Sequence, residues 1–513
     1  MNYNQMTLEE KIGQMLCLSF IGTEYNEQLA TLVEKYNIGT IIEFGHNIEN
    51  IEQVYKMNYQ IHKHSKYPIF VGLDHEGGMV RRVMNDITYL PGAMALGNAT
   101  EDEMYKIYNQ VGKELRNLGF NMNYMPSVDV NNNPYNPVIN SRSYSDEAIM
   151  VAKKGKIAAQ AMQDALMLPT PKHFPGHGNT NVDSHIGLPV VDSTKEDLYN
   201  IELKPFKEVI QNNVDGIMVA HILFKNIDDT YPSSLSHEMV TKVLKEEMGF
   251  KGLIITDSLT MNAIYKRYNV RDIIKHSVNA GNDIIMFCGE ANMCDQENIV
   301  KEFLDLVKTG EIPMSRVEES VKKVIALKEK YKMTLGNSCL VQEDYKTKFN
   351  QLPELSKQLT ERSITKFRDE NNLLPLKEGE KVLSIFPKFG AASLVDNKDN
   401  EQISLGKYFN IDEVIYSKEN SLENIVQKSK NYDKIILATY NTNKDSFATQ
   451  LYNALDKEKL IVVATRSPFD IIHMKDCKTY LCTFDCTIES LHALGKALKT
   501  NEFSTKLPVN LNI

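Results

Sequence analysis

The sequence predicts an α/β protein: an N-terminal (β/α)8 TIM-like barrel followed by a smaller α/β sandwich domain. Three observations carry this reading. Eight short apolar runs recur over the first two-thirds of the chain, at intervals of roughly 25 to 50 residues, about the length of a strand–helix unit. Longer amphipathic stretches lie between them. Polar residues able to do chemistry gather at the ends of the runs, where barrel enzymes build their sites.

The runs are Gln14–Gly22, Gly39–Phe44, Pro68–Asp74, Asn121–Val130, Met167–Phe174, Gly216–Ile222, Gly252–Asp257 and Asn282–Phe287. Most are nearly continuous in Ile, Val, Leu and Met rather than alternating, as expected of strands buried on both faces. Asp102–Leu118, Glu147–Leu166 and Lys195–Asn212 read as helices between them, and Glu311–Tyr331 as the last barrel helix. This assigns residues 1–335 to the barrel. The polar stretch 336–355, with Gly336, Asn337 and Ser338, reads as a linker. Residues 356–513 form the second domain, with apolar runs Lys381–Phe386, Lys434–Thr439, Leu460–Thr465 and Thr479–Phe484. It contains no GxGxxG or P-loop spacing, so no nucleotide cofactor is expected.

Composition narrows the function class. The 513 residues are 42% hydrophobic and 24% charged, which is ordinary for a globular protein. A net charge of −9, from 58 basic and 67 acidic residues, argues against a nucleic-acid surface. No run approaches the length of a membrane-spanning helix, and the first residues carry no basic region or cleavage site, so a cytoplasmic protein is expected. The seven cysteines (Cys17, Cys288, Cys294, Cys339, Cys477, Cys482 and Cys486) are scattered and read as reduced thiols.

Residues 172–185, KHFPGHGNTNVDSH, place three histidines, an aspartate and a lysine in one loop after the fifth run. His173 and His177 have HxxxH spacing, but Pro175 and Gly176 between them disfavour the helix a metal pair needs, so no metal is expected. Asp183 and His185 lie two residues apart, on the same side of an extended segment. A carboxylate on one ring nitrogen fixes the tautomer and favours the protonated ring. The other nitrogen is then free to act as an acid near neutral pH. Asp257 ends the seventh run. An aspartate there could cap a helix; its place on the rim that bears the histidine loop favours a nucleophile. Asp74 and Arg82, around the Gly77–Gly78 turn, suit either a solvated loop or a grip on sugar hydroxyls. Arg142 offers a further donor. His221, alone at a strand end, reads as structural.

With these residues in view the chain resembles glycoside hydrolase family 3, and within it the NagZ-type β-N-acetylglucosaminidases. LDHEGG at 73–78, NPVINSRSY at 136–144, the 172–185 loop, ITDSLTM at 255–261, NLLPL at 372–376 and KLPVNL at 506–511 carry the likeness. The resemblance implies Asp257 as nucleophile, His185 as acid/base oriented by Asp183, and Asp74, Arg82, Arg142, Lys172 and His173 as sugar ligands. It implies retention through a covalent glycosyl-enzyme, with no cofactor. The expected substrate is a small glycan ending in N-acetylglucosamine, from peptidoglycan recycling, and the expected state is a monomer. His75 stands where the family usually has Gln, and Asn179 where Asp is frequent. A β-glucosidase, a glycoside phosphorylase and a barrel that only binds sugar remain the alternatives.

Overall fold

The computed structural model describes residues 3–289, 293–331, 348–388, 396 and 402–511. Eight parallel strands form the first sheet: β1 (Leu16–Leu18), β2 (Thr40–Glu43), β3 (Phe70–Leu73), β4 (Met122–Asn123), β5 (Leu168–Pro169), β6 (Gly216–Val219), β7 (Leu253–Ser258) and β8 (Ile284–Phe287). Each of the eight runs holds one strand, β7 reaching one residue past its run. They pair in the order β5-β4-β3-β2-β1-β8-β7-β6. The ring closes beyond the ladder, where Met218 N donates to Pro171 O at 3.0 Å and Phe174 N to Met218 O at 2.8 Å.

The strands lie between two apolar layers. Inside the barrel, Cys17, Ile42, Phe70, Met122, Leu168, Met218, Ile255 and Met286 fill the lumen. Outside, Leu16, Leu18, Ile41, Val71, Leu73 and Ile254 pack under the helices. That double burial is why the runs are continuous rather than alternating. The helices begin where the sequence supplies caps. Thr100 accepts from Glu103 N and Glu103 reaches back to Thr100 N, starting the helix Glu101–Asn117. Asn269 starts Val270–Ala280, which Gly281 ends at φ 119°. A helix over Met314–Lys330 closes the barrel region.

The second sheet has six strands: β9 (Thr365–Asp369), β10 (Val382–Pro387), β11 (Asp412–Tyr416), β12 (Lys434–Thr439), β13 (Leu460–Ala464) and β14 (Thr479–Cys482). Their order is β9-β14-β13-β12-β10-β11. Only the β9–β14 pair is antiparallel. Alternate residues feed separate cores. Leu437, Val462 and Tyr480 belong to one, Ile436, Val463 and Leu481 to the other, so helices cover both faces. Of the expected linker, residues 336–347 lie outside the described residues. A helix starts at Pro353, before the expected end of that linker at 355. Cys17, Cys288, Cys477, Cys482 and Cys486 are buried and none of them is in a disulfide; Cys339 lies outside the described residues. No helix among the described residues is long and apolar enough to cross a membrane.

Candidate active site

Loops at the C-terminal ends of the barrel strands enclose a cavity of about 350 Å³. Asp74, Arg82, Arg142, Lys172, His173, His185 and Asp257 all line it, although the sequence separates the first from the last by 183 positions (257 − 74). Asp183 stands behind His185.

Five of these residues, with two the sequence reading passed over, form one charged chain. Just past β3, His75 is pinned by Asn123 of β4, whose side-chain oxygen accepts from His75 N and whose amide donates to His75 O, each at 3.0 Å. The turn then projects Asp74 and Glu76. Lys172 Nζ reaches Asp74 Oδ1 at 2.6 Å and Glu76 Oε1 at 2.8 Å. Arg142 grips Glu76 with both arms, Nε to Oε2 at 2.9 Å and Nη2 to Oε1 at 2.7 Å. Arg82 Nη2 lies 3.8 Å from Asp74 Oδ2. Burial alone would raise the Glu76 carboxyl, but Arg142 and Lys172 outweigh it and hold the group ionised, below the usual range. Burial likewise works against the Lys172 ammonium, and Asp74 and Glu76 overcome it, so its pKa is raised.

Asp129 is the second addition. Fully buried after β4, it accepts from His173 Nδ1 at 2.7 Å, from the His177 backbone N–H at 2.6 Å and from Ser127 Oγ at 3.0 Å. With Asp129 on Nδ1, His173 presents Nε2 toward the cavity, 3.4 Å from Arg142 Nη2. One buried carboxylate therefore orients a ring and ties down the start of the histidine loop. His177 spends both ring nitrogens on that loop, Nδ1 at 2.7 Å from Thr180 Oγ1 and Nε2 at 3.3 Å from Ser184 Oγ. Burial pushes its pKa down to about 4, so it packs as a neutral ring. Among the described residues no group of three His, Cys, Asp or Glu side chains is arranged to hold a metal ion.

Asp257, the last residue but one of β7, accepts the Ser258 N–H on Oδ1 at 2.7 Å. Burial favours the neutral acid. His221, His173, His185 and that N–H outweigh it and hold the pKa at about 2. His221 is fixed from both sides, Nδ1 at 2.7 Å from Ser234 Oγ and Nε2 at 2.8 Å from Ser258 O. A carbonyl only accepts, so Nε2 carries the proton and Ser234 donates to Nδ1. Burial lowers the pKa of this ring, against the pull of the Asp257 charge. It supports the backbone next to Asp257, in line with its structural reading.

On the opposing loop, His185 Nδ1 lies 2.7 Å from Asp183 Oδ1, which also accepts the His185 backbone N–H at 2.9 Å. Nδ1 therefore donates, and Nε2 is left for the cavity. Burial depresses the imidazole. The hydrogen bond to Asp183 and the charges of Asp183 and Asp257 overcome that, so its pKa is raised. The loop is fastened to the segment after Asp257: Asn262 Nδ2 donates to His185 O at 2.8 Å and Ala263 N to Ser184 O at 3.2 Å. His185 keeps 24% of its side-chain surface exposed. The cavity thus joins an ionised carboxylate to an imidazole that favours its protonated form.

The two substituted family positions differ in weight. His75 is wholly buried, receives the Arg82 N–H on Nδ1 at 3.4 Å, and is held near pKa 3 by burial, Arg81 and Arg82. Asn179 is exposed and donates to Ser193 Oγ at 3.2 Å.

The family model for the glycosyl hydrolase family 3 N-terminal domain matches residues 7–327. β-Hexosaminidase A of Pseudoalteromonas piscicida is 30% identical over 427 residues, covering 74% of this chain and 70% of the relative. A β-hexosaminidase of Haemophilus influenzae is 30% identical over 281 residues, 54% of this chain and 79% of the relative. Among solved structures, a glycoside hydrolase family 3 β-N-acetylglucosaminidase from Paenibacillus sp. superposes over 99% of both chains, with a TM-score of 0.88 and 33% identity. LpqI of M. tuberculosis, 27% identical with a TM-score of 0.59, has 94% of its length spanned by only 63% of this chain.

Proposed function

The chain belongs to glycosyl hydrolase family 3, and from that premise we propose that it is an exo-acting β-N-acetylglucosaminidase working through a covalent glycosyl-enzyme. The observation that carries this reading is the shared cavity: ionised Asp257 and the open Nε2 of His185 meet in it, each fixed by its own hydrogen bonds. A β-hexosaminidase relative at 30% identity and the full-length likeness to the Paenibacillus enzyme support N-acetylglucosamine as the sugar.

In the first step the Asp257 carboxylate attacks the anomeric carbon while His185 Nε2–H passes its proton to the departing oxygen. The aglycone leaves as an alcohol and the sugar is bound to Asp257 as an ester. In the second step neutral His185 takes a proton from water, whose oxygen displaces Asp257. Two inversions give net retention. Asp183 stabilises the imidazolium before the first transfer and after the second. Asp74, Arg82, Arg142, Lys172 and His173 bind the hydroxyls of the terminal sugar, and the small cavity suits a single ring.

The same reading puts the reaction in the cytoplasm, on N-acetylglucosamine-terminated peptidoglycan fragments, with the protein a monomer. Cells lacking it are expected to accumulate such fragments. The direct test compares 4-nitrophenyl N-acetyl-β-glucosaminide with the matching glucoside, following product anomers by NMR. Preferred hydrolysis of the former with β-N-acetylglucosamine as first product is expected. Preference for the glucoside would overturn the substrate assignment, and sugar 1-phosphate formed on adding phosphate would recast the enzyme as a phosphorylase.

A further inference from the structure

The second domain holds the barrel by the two loops that carry Arg82 and Arg142. Met79 packs into the core on one face of the second sheet, and Met94 and Ala95 into the core on the other. Between these anchors, buried Asp485, three residues past β14, faces the barrel loop. Its Oδ2 accepts the Gly92 N–H at 2.9 Å. A Cβ at Gly78 would lie 2.1 Å from Asp485 Oδ1, and one at Gly92 2.5 Å from the same atom. Gly78 also needs its φ of 53°, a region side chains disfavour. One carboxylate from the second domain is thus seated against two barrel glycines 14 positions apart (92 − 78).

Neighbouring contacts extend the grip toward the sugar ligands. Thr487 Oγ1 meets Tyr89 OH at 2.9 Å. The Arg81 guanidinium lies 4.5 Å over the Tyr89 ring and 3.7 Å from Glu489 Oε1, while its Nε donates to Gly78 O at 3.0 Å. Arg82 is the next residue. On the other loop, Asn140 Nδ2 donates to Ser467 Oγ at 2.9 Å, two residues before Arg142. Met94 N joins the loops by donating to Ser141 O at 3.1 Å.

We propose that the second domain sets the position of the two sugar-binding arginines, with Asp485 the positioning residue for Arg82 and Ser467 that for Arg142. The inference rests on the functional reading above only for its choice of ligand. A binding constellation must be held to about 0.5 Å, and a displacement of about 1 Å can cost on the order of 100-fold. Within the loop Gly78 N donates to Leu90 O at 2.8 Å; Asp485 adds from outside an acceptor for the Gly92 N–H and a wall against Gly78.

The test uses the full chain. Asp485→Ala, Asp485→Asn and Ser467→Ala are compared with Ile425→Ala, which opens the same domain's core from the helix Leu422–Ser429. The readouts are the inhibition constant of N-acetylglucosamine, kcat and KM on the aryl glycoside, melting temperature, and hydrogen exchange of residues 76–96. Asp485→Ala is expected to raise Ki and KM about tenfold or more, with kcat moved less than about threefold, and to speed exchange in 76–96. Asp485→Asn keeps an acceptor of the same size and is expected to restore Ki to within about threefold. Ser467→Ala, a minimal change that keeps the fold, is expected to raise Ki about threefold or more. Ile425→Ala is expected to lower the melting temperature with Ki unchanged. Unchanged Ki and exchange in Asp485→Ala, or an equal Ki rise in Ile425→Ala, would overturn the proposal. A wild-type protein inert on N-acetylglucosaminides would instead sink the functional reading, and the exchange comparison would still decide this one.

Discussion

Replacing Asp183 by asparagine separates the acid's strength from its mere presence. In the protein Asp183 Oδ1 receives both the His185 Nδ1–H, at 2.7 Å, and the backbone N–H, at 2.9 Å. Asparagine keeps the volume and one oxygen but removes the charge that stabilises imidazolium. A hydrogen bond to a charged partner contributes about 1.5–3 kcal/mol. At about 1.4 kcal/mol per decade that is roughly 10- to 150-fold in rate, at or below the low end of the about 10²- to 10⁴-fold ascribed to general acid catalysis as a whole. The loss falls only on substrates whose leaving group needs the proton. The assay is kcat/KM for aryl N-acetylglucosaminides from 2,4-dinitrophenyl to phenyl, as a function of pH. Asp183 raises the His185 pKa, so the variant's imidazole loses its proton at lower pH and the basic limb moves toward acid. Equal losses across the series, with the limb unmoved, would refute this reasoning.

Three further outcomes are expected. Asp257 is held at about pKa 2, so acidification does not neutralise the nucleophile until near that value; kcat/KM for the dinitrophenyl substrate, which reports only the first step and needs no acid, should stay flat from about pH 7 to about pH 4, and pH profiles of kcat/KM check it. Glu76→Ala strands the buried charges of Arg142 and Lys172 and should destabilise the barrel by about 3–5 kcal/mol in urea unfolding, more than Glu76→Gln. Asn262→Ala removes the side-chain tether to His185 O, a bond contributing about 1 kcal/mol, and should slow phenyl glycoside hydrolysis about fivefold with the dinitrophenyl substrate spared.

The barrel was legible because each strand is buried on both faces, which leaves a continuous apolar run as its signature. Strand lengths were not. The run Asn121–Val130 contributes only Met122–Asn123 to the ladder, and Met167–Phe174 only Leu168–Pro169. Pro126, Pro169 and Pro171 lack the N–H a longer ladder needs. The cavity residues were legible because strand ends concentrate them on one rim. Glu76 and Asp129 were missed for a physical reason: their work is to hold other side chains, and those partners lie tens of positions away. A signal existed for Asp129, a lone carboxylate inside the otherwise uncharged stretch Tyr124–Val130. The grip of Asp485 on Gly78 and Gly92 left none, since it joins residues about four hundred positions apart across two domains.

A mechanism-based 5-fluoro-N-acetylglucosaminyl fluoride, followed by peptide mass spectrometry, reaches the core of the account most directly. The enzyme should stall with one sugar esterified to Asp257, within residues 255–261, and recover as the adduct hydrolyses. Turnover without any adduct, or a label on another side chain, would mean that Asp257 is not the group that takes the sugar.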